Sequence, residues 1–527
     1  MAQLGGLKTS GAESLVKALV DNGIHACFAN PGTSEMHLVS ALDRNSAIRS
    51  VLGLFEGVCT GAADGYARML DAPATTLLHL GPGLANGLSN LHNAMRANSP
   101  VVNIVGDHAT THRSLDAPLT SDIEGTARPF SHWIRTSQSA AALGSDTVAA
   151  VAAARSAPGR VATLIVPADA AWSTVTHSPG PALTANGLAT APARPPDSKI
   201  EAVAKAIAEP GPVALLLNGQ ALRPQSLELA GRIASATGAR LLHPTHAPRV
   251  ARGAGRVNVD RISYGVSQAM SELGDLRTII LVGAKAPVAF FAYPNLPGRL
   301  YPPASRILEL AGSGEDLRYA LEALAERVVG KRQTAVRLEL ALPERPTGEI
   351  TSSKLGALIE SIIPENAIVV DESITTGRAF LKETRNARPH DWLLGTGGSI
   401  GYALPVAVGA AVACPDRQII VLESDGSGMY MPQSLWTMAR ESLNVLTLVF
   451  ANRKYQILKS EASNMGLAEI GPRGSRLLEI GSPDIDWVAL ARSLGVAARQ
   501  AKSMDELSKG IDAALIEGGP QLIEVVL

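Results

Sequence analysis

Residues 423–455 read ESDGSGMYMPQSLWTMARESLNVLTLVFANRKY, and the punctuation of this stretch decides how the chain folds. An apolar run, QIIVL at 418–422, stops at an Asp-Gly-Ser turn; a helical stretch follows; a second apolar run, LTLVF at 446–450, stops at Asn452. One strand–helix–strand crossover returns a chain to the same edge of a parallel sheet, so Asp425 and Asn452 are expected at neighbouring carboxyl ends. That edge is where open α/β sheets bind ligands. The local alternative is turn chemistry, because Asp-Gly and Asn also end strands for conformational reasons alone. A carboxylate and an amide oxygen are two hard donors, which complete an octahedral Mg²⁺ shell only if a diphosphate and water supply the rest. The stretch therefore points to a phosphorylated cofactor.

Working outward, the same alternation recurs. SSKLGALIESII places Leu355, Leu358, Ile359 and Ile362 on one helical face before the apolar strand of AIVVDES. Near the N-terminus AESLVKALVDNG does the same with Leu15, Val16, Leu19 and Val20, and HACFAN runs as a strand into the turn Asn30-Pro31-Gly32-Thr33. VALLLNG, ARLLHP and TIILVGA read as strands of a middle segment. Residues 177–197 and 329–350, rich in Pro, Ala or mixed charge and without periodicity, read as linkers. The expectation is an α/β protein of three domains, at 1–176, 198–328 and 351–527, each a parallel sheet covered by helices on both faces.

Composition removes several function classes. With 47 Lys and Arg against 48 Asp and Glu, and no basic or aromatic–basic run, nucleic acid is not an expected partner. The longest apolar run, ALPVAVGAAVAC, falls short of the about 18 residues a membrane span needs, and the first residues lack the apolar core of an export signal. Three cysteines, Cys27, Cys59 and Cys414, sit in small or apolar surroundings without paired spacing, which fits buried thiols in a reducing, cytoplasmic setting.

Several dispersed motifs resemble the thiamine diphosphate (ThDP)-dependent enzymes, and within them the benzoylformate decarboxylases and acetolactate synthase large subunits. They are NPGTSE (30–35), FEGVCTGAADGYARM (55–69), GTGGSIGYALPVAVGAA (395–411) and the Asp-Gly … Asn stretch of the opening. The family motif is Gly-Asp-Gly followed at a distance by Asn-Asn; here Ser424 and Ala451 replace the first Gly and the first Asn, and both side-chain ligands remain. The resemblance implies pyrimidine-binding, middle and diphosphate-binding domains, with ThDP and Mg²⁺ as cofactors. It implies Mg²⁺ ligation by Asp425, Asn452 and the Lys454 carbonyl, and cofactor contacts from Glu372, Ser373, Gly426, Ser427 and Tyr455.

Glu56 matches the glutamate that bonds N1′ of the aminopyrimidine; read alone, it is equally a helix-start charge favoured by the macrodipole. Ile400 matches the apolar residue that bends the cofactor, with the Gly398 carbonyl beside the 4′-amino group. His79 matches an active-site histidine of benzoylformate decarboxylase, against the alternative of a satisfied core histidine. Thr33 matches that enzyme's substrate-facing serine. Its second histidine is missing: in APVAFFAYPNLPG the aligned position is Ala292, beside Tyr293.

The resemblance implies decarboxylation of a 2-oxo acid in a homodimer or homotetramer with active sites between subunits. The alternatives are an acetolactate synthase-like carboligase, with FAD in the middle domain, and a non-catalytic ThDP-fold binder. Gly81-Pro82-Gly83 has the wrong spacing for a dinucleotide loop. His108 and His112 would meet as metal ligands on a helix, but no third ligand accompanies them, so a solvated loop is expected.

Overall fold

The computed structural model describes residues 7–177, 190–330, 333–467 and 469–527. Most of the first linker, 178–189, and residues 331–332 of the second lie outside the described residues. The rest of the second linker lacks regular structure but is tied down, since Leu338 exchanges backbone hydrogen bonds with Gly255 and Arg256.

The described residues divide into two compact units. The first holds the N-terminal segment to Ala191 together with Thr396–Pro415 and Met431–Leu443. Its six-stranded sheet is parallel throughout, in the spatial order Arg49–Leu52, Ala26–Asn30, Ala74–Leu78, Val101–Asp107, Val161–Pro167, Trp133–Thr136. Every residue of Ala74–Leu78 and of Val161–Pro167 is buried, as expected for strands covered on both faces. An antiparallel ribbon, Leu7–Ser10 with Thr174–His177, joins the two ends of the segment.

Two helices of this unit pack backbone to backbone. Helix Glu56–Leu70 is buried along nearly its whole length, and so is Ala403–Ala413, which accounts for most of the long apolar run of the sequence. A Cβ on Gly65 would stand 2.1 Å from the Val406 carbonyl oxygen, and one on Gly409 would stand 1.8 Å from that of Ala62. Small residues at these positions permit the approach. No helix among the described residues is long and apolar enough to cross a membrane.

The second unit carries two sheets over a shared apolar core. One has five parallel strands, in the order Asp260–Arg261, Arg240–His243, Val213–Leu217, Thr278–Val282, Arg306–Ala311. The other has seven, in the order Val250–Arg252, His390–Leu394, Ile368–Glu372, Ile419–Ser424, Val445–Ala451, Gln521–Val526, Ala497–Ala501. Six of these run parallel. Val250–Arg252, which belongs by sequence to the middle segment, pairs antiparallel with His390–Leu394 at the edge. An antiparallel edge on an otherwise parallel sheet is common; a three-residue strand inside a loop gives no periodic signal by which the sequence could announce it.

Candidate functional site

The opening stretch folds as its punctuation demands. Ile419–Ser424 and Val445–Ala451 are adjacent parallel strands, with Ser424 opposite Phe450, so Asp425 and Asn452 emerge side by side. Backbone amides organise them. Arg453 takes a left-handed backbone conformation, φ +58°, and its N–H donates to Asp425 Oδ2 at 2.6 Å. The Gly426 N–H donates to Oδ1 at 2.9 Å, and the Lys454 N–H donates to Asn452 Oδ1 at 3.1 Å. Lys454 is clamped against Glu479, with Tyr455 N–H to the Leu478 carbonyl at 2.8 Å and Ile480 N–H to that of Arg453 at 3.0 Å. Gly426 has no room for a side chain, since a Cβ would lie 2.5 Å from Tyr455 Cε1. Asp425, Gly426, Asn452, Lys454 and Tyr455 thus form one construction.

This construction suits a divalent cation. Burial raises the Asp425 carboxyl above its ordinary pKa against the pull of its backbone donors. A carboxylate, an amide oxygen and a backbone carbonyl are the hard donors Mg²⁺ takes, and a cation bound there would offset that burial cost.

Around it the strand ends carry further acids. Glu423 is fully buried; its Oε1 accepts from the Ser424 N–H at 3.1 Å and from the Ser427 hydroxyl. Burial, and then the neighbouring Glu372, push its carboxyl well above the usual range. Ser424, the departure from Gly, is absorbed by a hydrogen bond to the Glu372 carbonyl at 3.1 Å. Ser373 donates through its hydroxyl to Asp371 Oδ1 at 2.5 Å, which also takes its N–H at 3.0 Å. Asp371 in turn receives the Trp392 indole N–H at 3.2 Å. Burial raises the pKa of Asp371.

The N-terminal sheet presents a second set of groups at its own carboxyl edge. Glu56 opens helix Glu56–Leu70, is 9% exposed, and accepts from Asn86 Nδ2 at 3.0 Å. Of its apolar sequence neighbours, Val58 is buried while Leu54 is 44% exposed. His79 follows strand Ala74–Leu78 and directly precedes helix Leu80–Ala97. It is not a core histidine: its side chain is 24% exposed, and its Nδ1 lies 2.7 Å from Glu35 Oε2. Glu35 is fully buried, and the same oxygen takes the Gly32 N–H at 2.7 Å. Gly32 and Gly106 leave the space this pair occupies; a Cβ there would fall 2.3 Å from His79 Nδ1 and 1.6 Å from Glu35 Oε1 respectively. Thr33, exposed, begins the turn Thr33–Glu35 that delivers Glu35.

The glycine-rich stretch is held by one buried asparagine. Asn93 Oδ1 accepts from the N–H of Gly397 at 3.1 Å and of Ser399 at 3.2 Å, while its Nδ2 donates to the Ser399 carbonyl at 2.9 Å. Gly398 has φ +75°, and Ile400 stands 37% exposed. His108 and His112 lie in a loop, with ring centroids 5.3 Å apart, and no cluster of three potential metal-binding side chains occurs among the described residues.

Sequence reasoning missed Glu35, Asn86, Asn93, Glu423 and Arg453. Glu35 stood in the quoted NPGTSE motif, but nothing local shows that it meets His79.

Comparison with known proteins settles the family. Residues 9–131 match the family described as thiamine pyrophosphate enzyme, N-terminal TPP binding domain, and residues 376–525 match its C-terminal TPP binding domain. The chain belongs to the thiamine pyrophosphate enzymes. A Mycobacterium tuberculosis (strain ATCC 25618 / H37Rv) relative, provisionally named acetolactate synthase large subunit IlvX, is 46% identical over 98% of this chain and 99% of its own. Benzoylformate decarboxylase of Pseudomonas aeruginosa is 28% identical over 96% of each chain. Among solved structures, the ThDP-dependent 4-hydroxybenzoylformate decarboxylase of Rhodococcus jostii RHA1 shares the fold, with a TM-score of 0.84, 24% identity and 98% coverage of both chains. As a thiamine pyrophosphate enzyme of the decarboxylase and acetolactate synthase group, the chain has the several helix-flanked parallel sheets of that fold.

Proposed function

We propose that this thiamine pyrophosphate enzyme binds ThDP through Mg²⁺ and decarboxylates a 2-oxo acid without oxidation. In this reading residues 1–176 form the pyrimidine-binding domain, 198–328 the middle domain and 351–527 the diphosphate-binding domain. Bound ThDP supplies a nucleophilic thiazolium carbon and an electron sink for the bond to the departing CO₂.

The chain's own residues then have distinct tasks. Asp425, Asn452 and the Lys454 carbonyl would hold Mg²⁺, with Gly426, Ser427, Tyr455, Glu372 and Ser373 lining the diphosphate. Ile400 and the Gly398 carbonyl would orient the rings. Glu56 exchanges a proton at its carboxyl, steadied by the Asn86 amide. The observation that carries the decarboxylase reading is the His79–Glu35 pair. With Glu35 accepting Nδ1–H, the imidazole would offer Nε2 for proton transfer, and Thr33 would face the substrate. Because the family completes its sites between subunits, a homodimer or homotetramer is part of the proposal.

Carbon dioxide released from a panel of aliphatic and aromatic 2-oxo acids, with and without ThDP and Mg²⁺, tests it; no cofactor-dependent release from any of them would refute it. The 46% identical relative supports a second reading, a carboligase joining 2-oxo acids. Acetolactate formed from pyruvate, or flavin absorbance revealing FAD, would favour that one. A protein that binds ThDP yet transforms no 2-oxo acid would be the non-catalytic binder to which Ser424, Ala451 and Ala292 point.

A further inference from the structure

Side chains of the middle segment that the proposed reaction does not use gather against helix Gln456–Asn464, which begins straight after Tyr455. Glu461 lies in that helix and is 8% exposed. Its Oε2 accepts from the hydroxyl of Tyr293, itself buried, at 2.6 Å, and its Oε1 faces Asn464 Nδ2 at 3.4 Å. Tyr264 lies within electrostatic reach of both Tyr293 and Glu461. Aromatic rings continue the wall: Tyr264 to Phe290 at 5.8 Å, Phe290 to Phe291 at 4.8 Å, Phe290 to His246 at 5.1 Å between centroids.

His246 bonds through Nδ1 to the carbonyl of Gly395, at the head of the glycine-rich stretch, at 2.8 Å, and its buried Nε2 has no partner. The wall therefore spans the second unit from the residue before the glycine loop to the helix behind the metal-binding turn. Phe290 and Phe291 remain 43% and 48% exposed.

The charge balance of this wall is incomplete. Among the described residues no lysine, arginine or histidine makes an ion pair with Glu461. Arg378 sits over the face of Tyr264, 5.9 Å from its centroid. A buried carboxylate held only by neutral donors keeps part of its desolvation cost, and a ligand that brings a cation recovers it. Exposed aromatic faces attract the same kind of ligand.

We propose that Glu461, oriented by Tyr293, recognises the cationic end of the substrate's side chain, so that the enzyme prefers 2-oxo acids ending in a guanidinium or ammonium group. This specificity rests on the 2-oxo acid reading above. The test uses the ThDP- and Mg²⁺-loaded protein with three acids: 5-guanidino-2-oxopentanoate, the apolar 2-oxoheptanoate and the anionic 2-oxoadipate. Calorimetric binding and CO₂ release are measured separately. The guanidino acid is expected to lead by at least about tenfold in Kd and in kcat/KM, and Glu461→Gln, which keeps the size and an acceptor for Tyr293, to reduce that lead to about threefold or less.

Equal or weaker calorimetric affinity of the parent for the guanidino acid overturns the proposal, whether or not the variant folds. So does a preference that survives in Glu461→Gln. A calorimetric preference without CO₂ from any acid supports the recognition and refutes the decarboxylase reading, whereas CO₂ release without the preference refutes the recognition alone. Binding of none of the three refutes both.

Discussion

The two sheet edges proposed to carry the chemistry are built by different means. At the edge of Ile419–Ser424 and Val445–Ala451, backbone amides do the positioning: Asp425 and Asn452 are held by the N–H groups of Gly426, Arg453 and Lys454. At the N-terminal edge, side chains hold side chains across the sequence, Glu56 with Asn86 and His79 with Glu35. Backbone construction follows from local turn geometry and tolerates changes such as Ser424. Side-chain construction needs each partner, so a single substitution should disturb it.

The units differ also in their response to acid, and there the largest effect is expected. The second unit favours the neutral form of three histidines, the buried His243 and His390 lowered to about 3 and the half-buried His246 to about 4, in each case chiefly by desolvation. Among the described residues of the first unit only one histidine, the exposed His132, is lowered. A folded-state pKa below the unfolded value near 6.5 means that the unfolded chain binds more protons between them, so stability falls as pH drops from about 6.5 towards about 3. The slope is about 1.4 kcal/mol per pH unit for each such histidine. Urea unfolding between pH 7 and 5, followed in the second unit by the fluorescence of the buried Trp392 and Trp487, should show this loss. A pH-independent midpoint would contradict it.

Glu56→Gln comes next. Exchange of the ThDP C2 proton, followed by NMR, should slow by about 10² to 10⁴-fold while cofactor affinity holds. Unchanged exchange would remove Glu56 from its role. Asp425→Ala should weaken ThDP affinity in the presence of Mg²⁺ by about 100-fold and abolish its metal dependence, read by calorimetry with and without chelator. If the variant bound as the parent does, the metal assignment would fall. Smallest is Glu35→Gln, which leaves an acceptor for His79 but no charge. About a tenfold drop in kcat with little change in KM is expected, against no loss at all if the pair only supports the turn.

What could be read without coordinates follows the same division. The strands around Asp425 and Asn452, the helix Ser352–Ile362 and the strand Ala26–Asn30 announce themselves through apolar period and turn residues. Ile400 and Gly398 were singled out only through the family resemblance, since a glycine cluster by itself also permits close packing. Glu35 was not, although it lies within a quoted motif, because its partner His79 is distant in sequence and the contact depends on the space left by Gly32 and Gly106. Asn93 looked like any polar residue of a helix until the glycine loop closed on its amide. Val250–Arg252 is too short to carry a period and joins its sheet only through a neighbour supplied by another segment.

The amino-acid sequence by itself determined the alternation of helix and strand, the carboxyl edges at which ligands gather and the hard-donor pair Asp425 and Asn452, because these depend on periodicity and on turns a few residues long. Only the tertiary structure decided which acid holds which base, that Glu423 is buried beside Ser427, and that Glu461 lies against Tyr293 without a cation. Those pairings depend on which surfaces the sheets and helices bring together, and desolvation, which sets their energies, is a property of that packing.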